Sequence, residues 1–273
     1  MNIVKLDEGR VVLIHGDCLH IMRAVKSSSI DFIFADLPYG TTAGNWDTPI
    51  DLSIFWELTK RIVKVDTALA FTGSQPFTTT LISSNKEWFK YEWIWYKPGT
   101  GTGYVNARNM PMKYHENILM FSNGAVANGA NIKMRYYPQD LVPINVKRKL
   151  TSKTTTYLGA RPNQDELIID ATHTNYPRSI IEFARPSGAA RIHPTQKPVE
   201  LLEYLIKTYT NENDTVLDPT FGSCTTVASC VRLNRKFIGI ERDEYFFNIG
   251  VARIEQELKL RNETIARVPE NSR

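Results

Sequence analysis

The chain has little of what would commit it to a metal site, a disulfide framework or a membrane. Among 273 residues only Cys18, Cys224 and Cys230 are cysteines, an odd count without paired spacing, so a reducing compartment and neither cross-links nor a structural metal are expected. No apolar run approaches the roughly 20 residues that span a bilayer. Residues 1–8 lack a cationic segment followed by a long apolar one, so no leader is expected and a cytoplasmic protein is. Gly-x-Gly-x-x-Gly is missing, which argues against a dinucleotide-dependent dehydrogenase. Charge of either sign is barely in excess: the net +4 permits a polyanionic partner without requiring one.

What is present is a 42% apolar composition, enough to bury the core of one large α/β domain. Short apolar runs bounded by Gly, Asp or Pro recur at 11–14, 30–35, 68–71, 91–96, 118–121, 180–183, 215–217 and 237–240. They read as strands, several buried on both faces. Helical spacing appears in Leu52, Phe55, Leu58 and Ile62, and again in Val199, Leu202, Leu205, Ile206 and Tyr209, where Pro198 suits a first turn. A last helix is expected over about 243–260 with Phe246, Ile249, Ile254 and Leu258 inward. Strands alternating with helices imply a doubly wound, mostly parallel sheet.

The middle has another texture. Residues 122–130 are rich in Gly, Ala and Asn, and Lys147-Arg148-Lys149-Leu150 leads into a polar stretch of weak periodicity. Residues 97–187 are therefore expected to be a largely irregular insertion that includes some core strand, between a first half (1–96) and a last half (188–273) of one domain.

Three segments carry chemistry. Asp36-Leu37-Pro38-Tyr39 ends the run 30–35 and precedes Gly40; it presents a carboxylate, a rigid proline and a ring together, a trio able to hold a flat heterocycle and accept a hydrogen bond from its exocyclic amine. As an isolated string it is also an ordinary turn. Val216-Leu217-Asp218-Pro219-Thr220-Phe221-Gly222-Ser223-Cys224-Thr225-Thr226 reads as strand, tight turn and helix start, the place where doubly wound sheets bind ligands. Asp218 there suits a cationic group, and Glu241, at the end of the next strand, is placed to accept two ribose hydroxyls. His193-Pro194-Thr195-Gln196-Lys197-Pro198 could bring Thr195 and Lys197 to a carboxylate just before a helix.

Taken in this order, the three segments resemble the S-adenosylmethionine-dependent DNA amino-methyltransferases of the β group, in which the catalytic motif precedes the cofactor motif. The resemblance covers nearly the whole chain outside the insertion. It implies a Rossmann-like methyltransferase fold with permuted motif order, in a bacterial cell or phage-infected host. It assigns catalysis to Asp36, Pro38 and Tyr39. Asp218, Phe221, Gly222 and Ser223 would border the methionine moiety of S-adenosyl-L-methionine, Asp36 would adjoin it, Glu241 would hold the ribose, and Thr195 and Lys197 the carboxylate. Asp17 and Cys18 would meet the adenine. Leu37 replaces the family's usual proline, and Cys224 a usual glycine, at a position that favours positive φ.

The substrate implied is double-stranded DNA, with adenine N6 as the target because the family's cytosine N4 enzymes more often carry Ser at position 36; cytosine N4 is the alternative, and an inactive DNA-binding module the non-enzymatic one. A homodimer and a cognate restriction endonuclease accord with the family, although no residue points to either. Arg108, Lys113, Lys133, Arg135, Lys147, Arg148, Lys149, Lys153 and Arg161, with Tyr136 and Tyr137 among them, are candidate DNA contacts.

Overall fold

The computed structural model describes residues 2–40, 47–99, 101–150, 167–186, 196–222 and 224–267. Strands run in the order β1 (Asn2–Leu6), β2 (Val11–His15), β3 (Ile30–Ala35), β4 (Val63–Gly73), β5 (Phe89–Tyr96), β6 (His115–Phe121), β7 (Val142–Leu150), β8 (Leu167–Thr174), β9 (Ile180–Glu182), β10 (Thr215–Asp218) and β11 (Lys236–Glu241). The α-helices are α1 (Cys18–Ile21), α2 (Leu52–Ile62), α3 (Phe77–Ser84), α4 (Val199–Tyr209), α5 (Thr225–Arg232) and α6 (Glu244–Arg267). Two compact units result, Met1–Tyr137 with Ser179–Arg273, and Pro138–Arg178.

In the larger unit nine strands form one sheet in the order β1-β2-β11-β10-β3-β4-β6-β5-β9. β2, β11, β10, β3 and β4 are parallel neighbours, β6 runs antiparallel between β4 and β5, and β1 runs antiparallel to β2 at one edge. The doubly wound α/β expectation is met, with those two reversals making the sheet mixed.

β3 shows why the fold is two-sided. All six of its residues are buried. Phe32 and Phe34 point into a core built with Val11, Leu13 and the α4 residues Leu201, Leu202 and Leu205, while Ile33 and Ala35 point into another built with Phe55, Leu58 and Ile62 of α2. With helices over both faces, period-2 alternation of polarity disappears and a continuous apolar run remains. α2 begins where the Asp51 carboxylate accepts the Ser53 and Ile54 N–H groups at 2.8 and 3.1 Å, satisfying two donors a helix start leaves open.

All eight expected strands are present; β1, β7, β8, α1 and α3 were not read from the sequence. In α6 the buried ring is Phe247, not Phe246. The helix phase is set by Phe247, Gly250 and Ile254, all buried, and Phe246 turns to the cavity described below. Within 97–187, β6 lies inside the sheet, and the separate unit is confined to Pro138–Arg178. There β7 and β8 pair antiparallel, from Val142 opposite Thr174 to Leu150 opposite Leu167, with a register shift between Pro143 and Val146.

At the N-terminal side of the central strands Arg135 joins three carboxylates. It donates to Asp66 through Nε at 2.8 Å and Nη2 at 3.1 Å, and through Nη1 to Asp31 at 2.9 Å and Asp214 at 3.1 Å. Lys64 Nζ and the Thr215 N–H complete Asp31 at 2.6 and 3.0 Å. Burial pushes the Asp31 carboxyl upward, but Lys64, the Thr215 amide and Arg135 together hold it below the usual range. Arg135, counted above among DNA contacts, is instead a structural clamp: every arm of its guanidinium is occupied within the fold.

Candidate active site

The opposite ends of the same strands carry four more carboxylates. Asp17 follows β2, Glu241 ends β11, Asp218 ends β10 and Asp36 follows β3, and because these strands are consecutive neighbours the four stand in a row at about 4.8 Å per strand. All line one cavity of about 410 Å³, together with Cys18, Pro38, Tyr39, Lys197, Phe221, Gly222, Phe246 and others. The strand order reverses here, β10 joining β11 on one side and β3 on the other, which is where open α/β sheets bind ligands.

On the β10–β11 side the groups are preset by backbone. Glu241 accepts the Gly222 N–H at 2.9 Å through one oxygen and the Asp243 N–H at 2.8 Å through the other, and each oxygen keeps a further acceptor site for a hydroxyl. Burial raises its pKa against those amide bonds. Asp218 is 3% exposed and accepts from Thr226 Oγ1 at 2.6 Å and the Thr220 N–H at 3.1 Å. Desolvation dominates: despite these two donors, and with Asp36 and Glu241 adding repulsion, its pKa is pushed up to about 7. A buried carboxylate held near neutrality, with no ion pair to a cation among the described residues, is suited to receive one from a ligand. Asp17 is exposed and also caps α1, accepting the His20 N–H at 3.0 Å. Cys18, at the first position of that helix, is buried, and burial pushes its thiol up to about 12; only its backbone suits a ligand contact.

The turn after β10 accommodates its departure from glycine. Cys224 adopts φ 58° and ψ 25° directly before α5 and is fully buried, a left-handed conformation that costs a non-glycine residue about 1–2 kcal/mol. Its thiol packs against Gly250 of α6: a Cβ there would collide with Cys224 Sγ and lie 2.7 Å from Phe221. The missing side chain at 250 makes room for the extra one at 224.

On the β3–β4 side Asp36 is held by three donors. Tyr39 Oη donates to Oδ1 at 2.8 Å, Thr72 Oγ1 donates a shorter bond to the same oxygen, and Lys197 Nζ donates to Oδ2 at 2.6 Å. Tyr39 lies against Phe77 with ring centroids 4.7 Å apart and planes 19° apart. Leu37 is 1% exposed and belongs to the core, which explains how a residue other than proline is accommodated. Lys197, expected at a ligand carboxylate, lies on Asp36 and 3.4 Å from Glu116 Oε2. Thr195 and Ser223 fall outside the described residues.

Thr72, Phe77 and Glu116 were not read from the sequence, and Thr226 only as part of the segment after β10. Thr72 and Glu116 sit at the polar ends of apolar strand runs, far in sequence from Asp36, so nothing local tied them to it; Phe77 opens a helix whose pattern was too short to stand out.

Of the DNA-contact candidates, Arg108 is exposed within an exposed segment that also carries Tyr104, Val105 and Met110. Lys113 hydrogen-bonds Ser74 Oγ. Lys147, Arg148 and Lys149 lie on β7, with side chains outside those described, as are Lys153 and Arg161 altogether. Tyr136 leans on Tyr209 and Tyr137 accepts from Asn211 Nδ2 at 2.7 Å.

Comparisons with known proteins agree with this geometry. DNA adenine methyltransferase YhdJ of Escherichia coli (strain K12) is 28% identical over 271 residues, covering 94% of this chain and 86% of that protein. Among solved structures, the M1.HpyAVI–SAM complex superposes with a TM-score of 0.57 at 23% identity, over 89% of this chain and 98% of the other. The cytosine-N4-specific PvuII DNA methyltransferase gives 0.59 at 15% identity, over 92% and 91%; both likenesses establish the fold. The family model for DNA methylases of the N6/N4 group matches residues 30–252, a span that holds Asp36, Lys197, Asp218 and Glu241, and the chain belongs to that family.

Proposed function

We propose that the chain methylates the exocyclic amino group of a base in duplex DNA, at adenine N6, using S-adenosyl-L-methionine. The observation that carries the reading is the Asp36 carboxylate. Its two oxygens offer about four acceptor sites; among the described residues Tyr39, Thr72 and Lys197 fill three, which leaves one on Oδ2 at the cavity wall. An acceptor fixed in this way, one strand from a carboxylate suited to a cation, is what transfer of a methyl group to an amine requires.

The residues fit the cofactor. Asp218 would face its positively charged end and Glu241 its ribose, with Phe221 and Gly222 between, Ser223 beside them and Asp17 and Cys18 toward the adenine. Thr195 is proposed for its carboxylate; Lys197, expected there as well, is bonded to Asp36 and is assigned to that side chain instead. When bound, S-adenosyl-L-methionine supplies an electrophilic methyl group on a sulfonium. The protein's part is alignment and electrostatics. Asp36 Oδ2 and a backbone carbonyl of Leu37 or Pro38 would draw the amine toward tetrahedral geometry, localising its lone pair toward the methyl; the carbon–sulfur bond would break as the carbon–nitrogen bond forms, leaving a neutral thioether, and the proton lost by the nitrogen would pass to solvent.

Such an amine is unreachable inside a stacked duplex, so the base must be flipped, at a cost of about a few kcal/mol. One face of Tyr39 is covered by Phe77, and the base is assigned to the other. Stacking of this kind returns about 1–3 kcal/mol per base. Arg108 and the basic strand bearing Lys147, Arg148 and Lys149, with Lys153 beyond it, are proposed to meet phosphates.

Adenine is favoured by the aspartate at position 36 and by the activity named for the Escherichia coli relative. Nucleoside mass spectrometry of host DNA after expression tests the reading, with N6-methyladenine expected. N4-methylcytosine would move the target to the other amine, 5-methylcytosine alone would overturn the amino-group mechanism, and no methylation of DNA supplied with labelled cofactor would leave only a binding module.

A further inference from the structure

Lys197 does not end at Asp36. Its ammonium lies between Asp36 Oδ2 at 2.6 Å and Glu116 Oε2 at 3.4 Å, and Glu116 Oε1 is in turn bonded by Lys97 Nζ. Lys97 rests over the Trp95 ring at 4.5 Å. The side chains of Lys97, Glu116 and Lys197 are 5%, 19% and 9% exposed, so this is a nearly dry chain of alternating charge running from β5 and β6 to the end of β3. It is neutral, two ammonium groups against two carboxylates, which offsets much of the cost of burying any one of them. Burial pushes Glu116 upward, yet Lys197 and Lys97 bring its pKa down to about 2; burial pushes Lys197 downward, yet Asp36 and Glu116 hold it above its ordinary value. Lys97 is lowered by burial against Glu116, with Lys197 and Arg185 also lowering it.

We infer that Glu116, backed by Lys97, is a positioning residue that sets the hydrogen-bonding and charge of Asp36 through Lys197. Two physical arguments meet here. Geometrically, Lys197 occupies one of the two acceptor sites on Asp36 Oδ2 and so decides where the last site points; an ammonium on a flexible stem holds that position only if something holds it from behind, and Glu116 does. Electrostatically, positive charge builds on the target amine beside Asp36 during transfer. A lone Lys197 would oppose it, and Glu116 offsets Lys197 in a low-dielectric setting where the effect is large. Lys97 prevents Glu116 from drawing Lys197 away altogether.

The inference rests on Asp36 being the acceptor, and the test separates the two claims. Whole-genome-amplified bacterial DNA, which carries no methylated bases, is the substrate, and single-turnover rates are measured at saturating DNA and cofactor, with cofactor Kd by calorimetry. Asp36→Ala retaining its rate would overturn the proposed function and this inference with it. With Asp36→Ala inactive, Glu116→Gln is expected to slow transfer tenfold or more with the cofactor Kd within twofold, and to move the alkaline limb of the rate profile to lower pH, since Lys197 loses one of the anions sustaining its charge. A Glu116→Gln rate within twofold of the native one, or a Kd that rises in step with the rate loss, would overturn the inference alone. Lys97→Met, at the far end of the chain, should give the same split and serves if Glu116→Gln does not fold. In the double variant the two losses should not multiply, because each removes the partner that made the other harmful; multiplying losses would also refute the coupling.

Discussion

The two ends of one set of strands treat acidic residues in opposite ways. Asp31, Asp66 and Asp214 are closed by Arg135, Lys64 and a backbone amide, and the Asp31 carboxyl sits below its usual range. Asp218, a short strand away at the other end of β10, receives a hydroxyl and an amide from the described residues and is pushed up to about 7. Burial opposes ionisation at both ends; what differs is whether the fold supplies the countercharge. Asp31, which receives it, is finished as structure, and Asp218, for which the described residues provide none, is prepared for a charged ligand.

Removing Asp36 attacks the open end at the proposed acceptor of the target amine. Asp36→Ala should lower single-turnover methylation by about a thousandfold or more, of order 4 kcal/mol, with cofactor Kd within threefold; parallel loss of both would break the assignment of separate roles along the strand row. The closed end should respond the other way. Arg135→Ala leaves three carboxylates facing one another, and a loss of about 3 kcal/mol in unfolding free energy is expected from denaturant melts, while the methylation rate of the folded fraction stays within twofold. A rate collapse without loss of stability would erase the distinction between the ends.

A smaller effect probes how the open end is kept in shape. Gly250→Ala should cost about 1–3 kcal/mol by overpacking against Cys224 and Phe221, and Cys224→Gly in the same chain should recover part of it. Equal stability of the single and double variants would show that the two positions do not share one space.

The mildest prediction concerns pH. A cationic ligand favours ionised Asp218, so binding below about pH 7 must release a proton, and affinity should fall by up to about tenfold per pH unit as pH drops below that value. Calorimetry in two buffers of different ionisation enthalpy reads the proton directly. The same shift has a sign for stability: a carboxyl raised on folding contributes stability that is fully present below its unfolded pKa and is lost as pH rises through about 7. Cofactor affinity independent of pH between 5 and 8 would mean that Asp218 does not face the positive charge.

The open end was the more legible of the two in sequence. Asp36, Asp218 and Glu241 each close a compact apolar run, and a strand buried on both faces announces where it stops. Lys197 was marked by its two prolines, but its partners were not, because pairing with Asp36 spans 161 positions and with Glu116 depends on β6 entering antiparallel between β4 and β5. Arg135 misled for the same reason: read locally it is one more cation in a basic region, and only the folded sheet brings Asp31, Asp66 and Asp214 around it. β7, paired with β8 in a separate two-stranded sheet, was hidden by Lys147-Arg148-Lys149, three consecutive charges that break the apolar run by which the other strands were read.

The contact between β3 and β10, where Val216 lies beside Phe32, has a consequence for how the molecule is made. Thr220 and Asp36, which it brings together, are 184 positions apart. At synthesis rates of about 5–20 residues per second, one edge of β3 waits roughly 10–40 s on the ribosome for the strand that covers it. Asp36 thus exists well before the pocket around it, and a nascent chain cannot complete that pocket until most of its length has emerged.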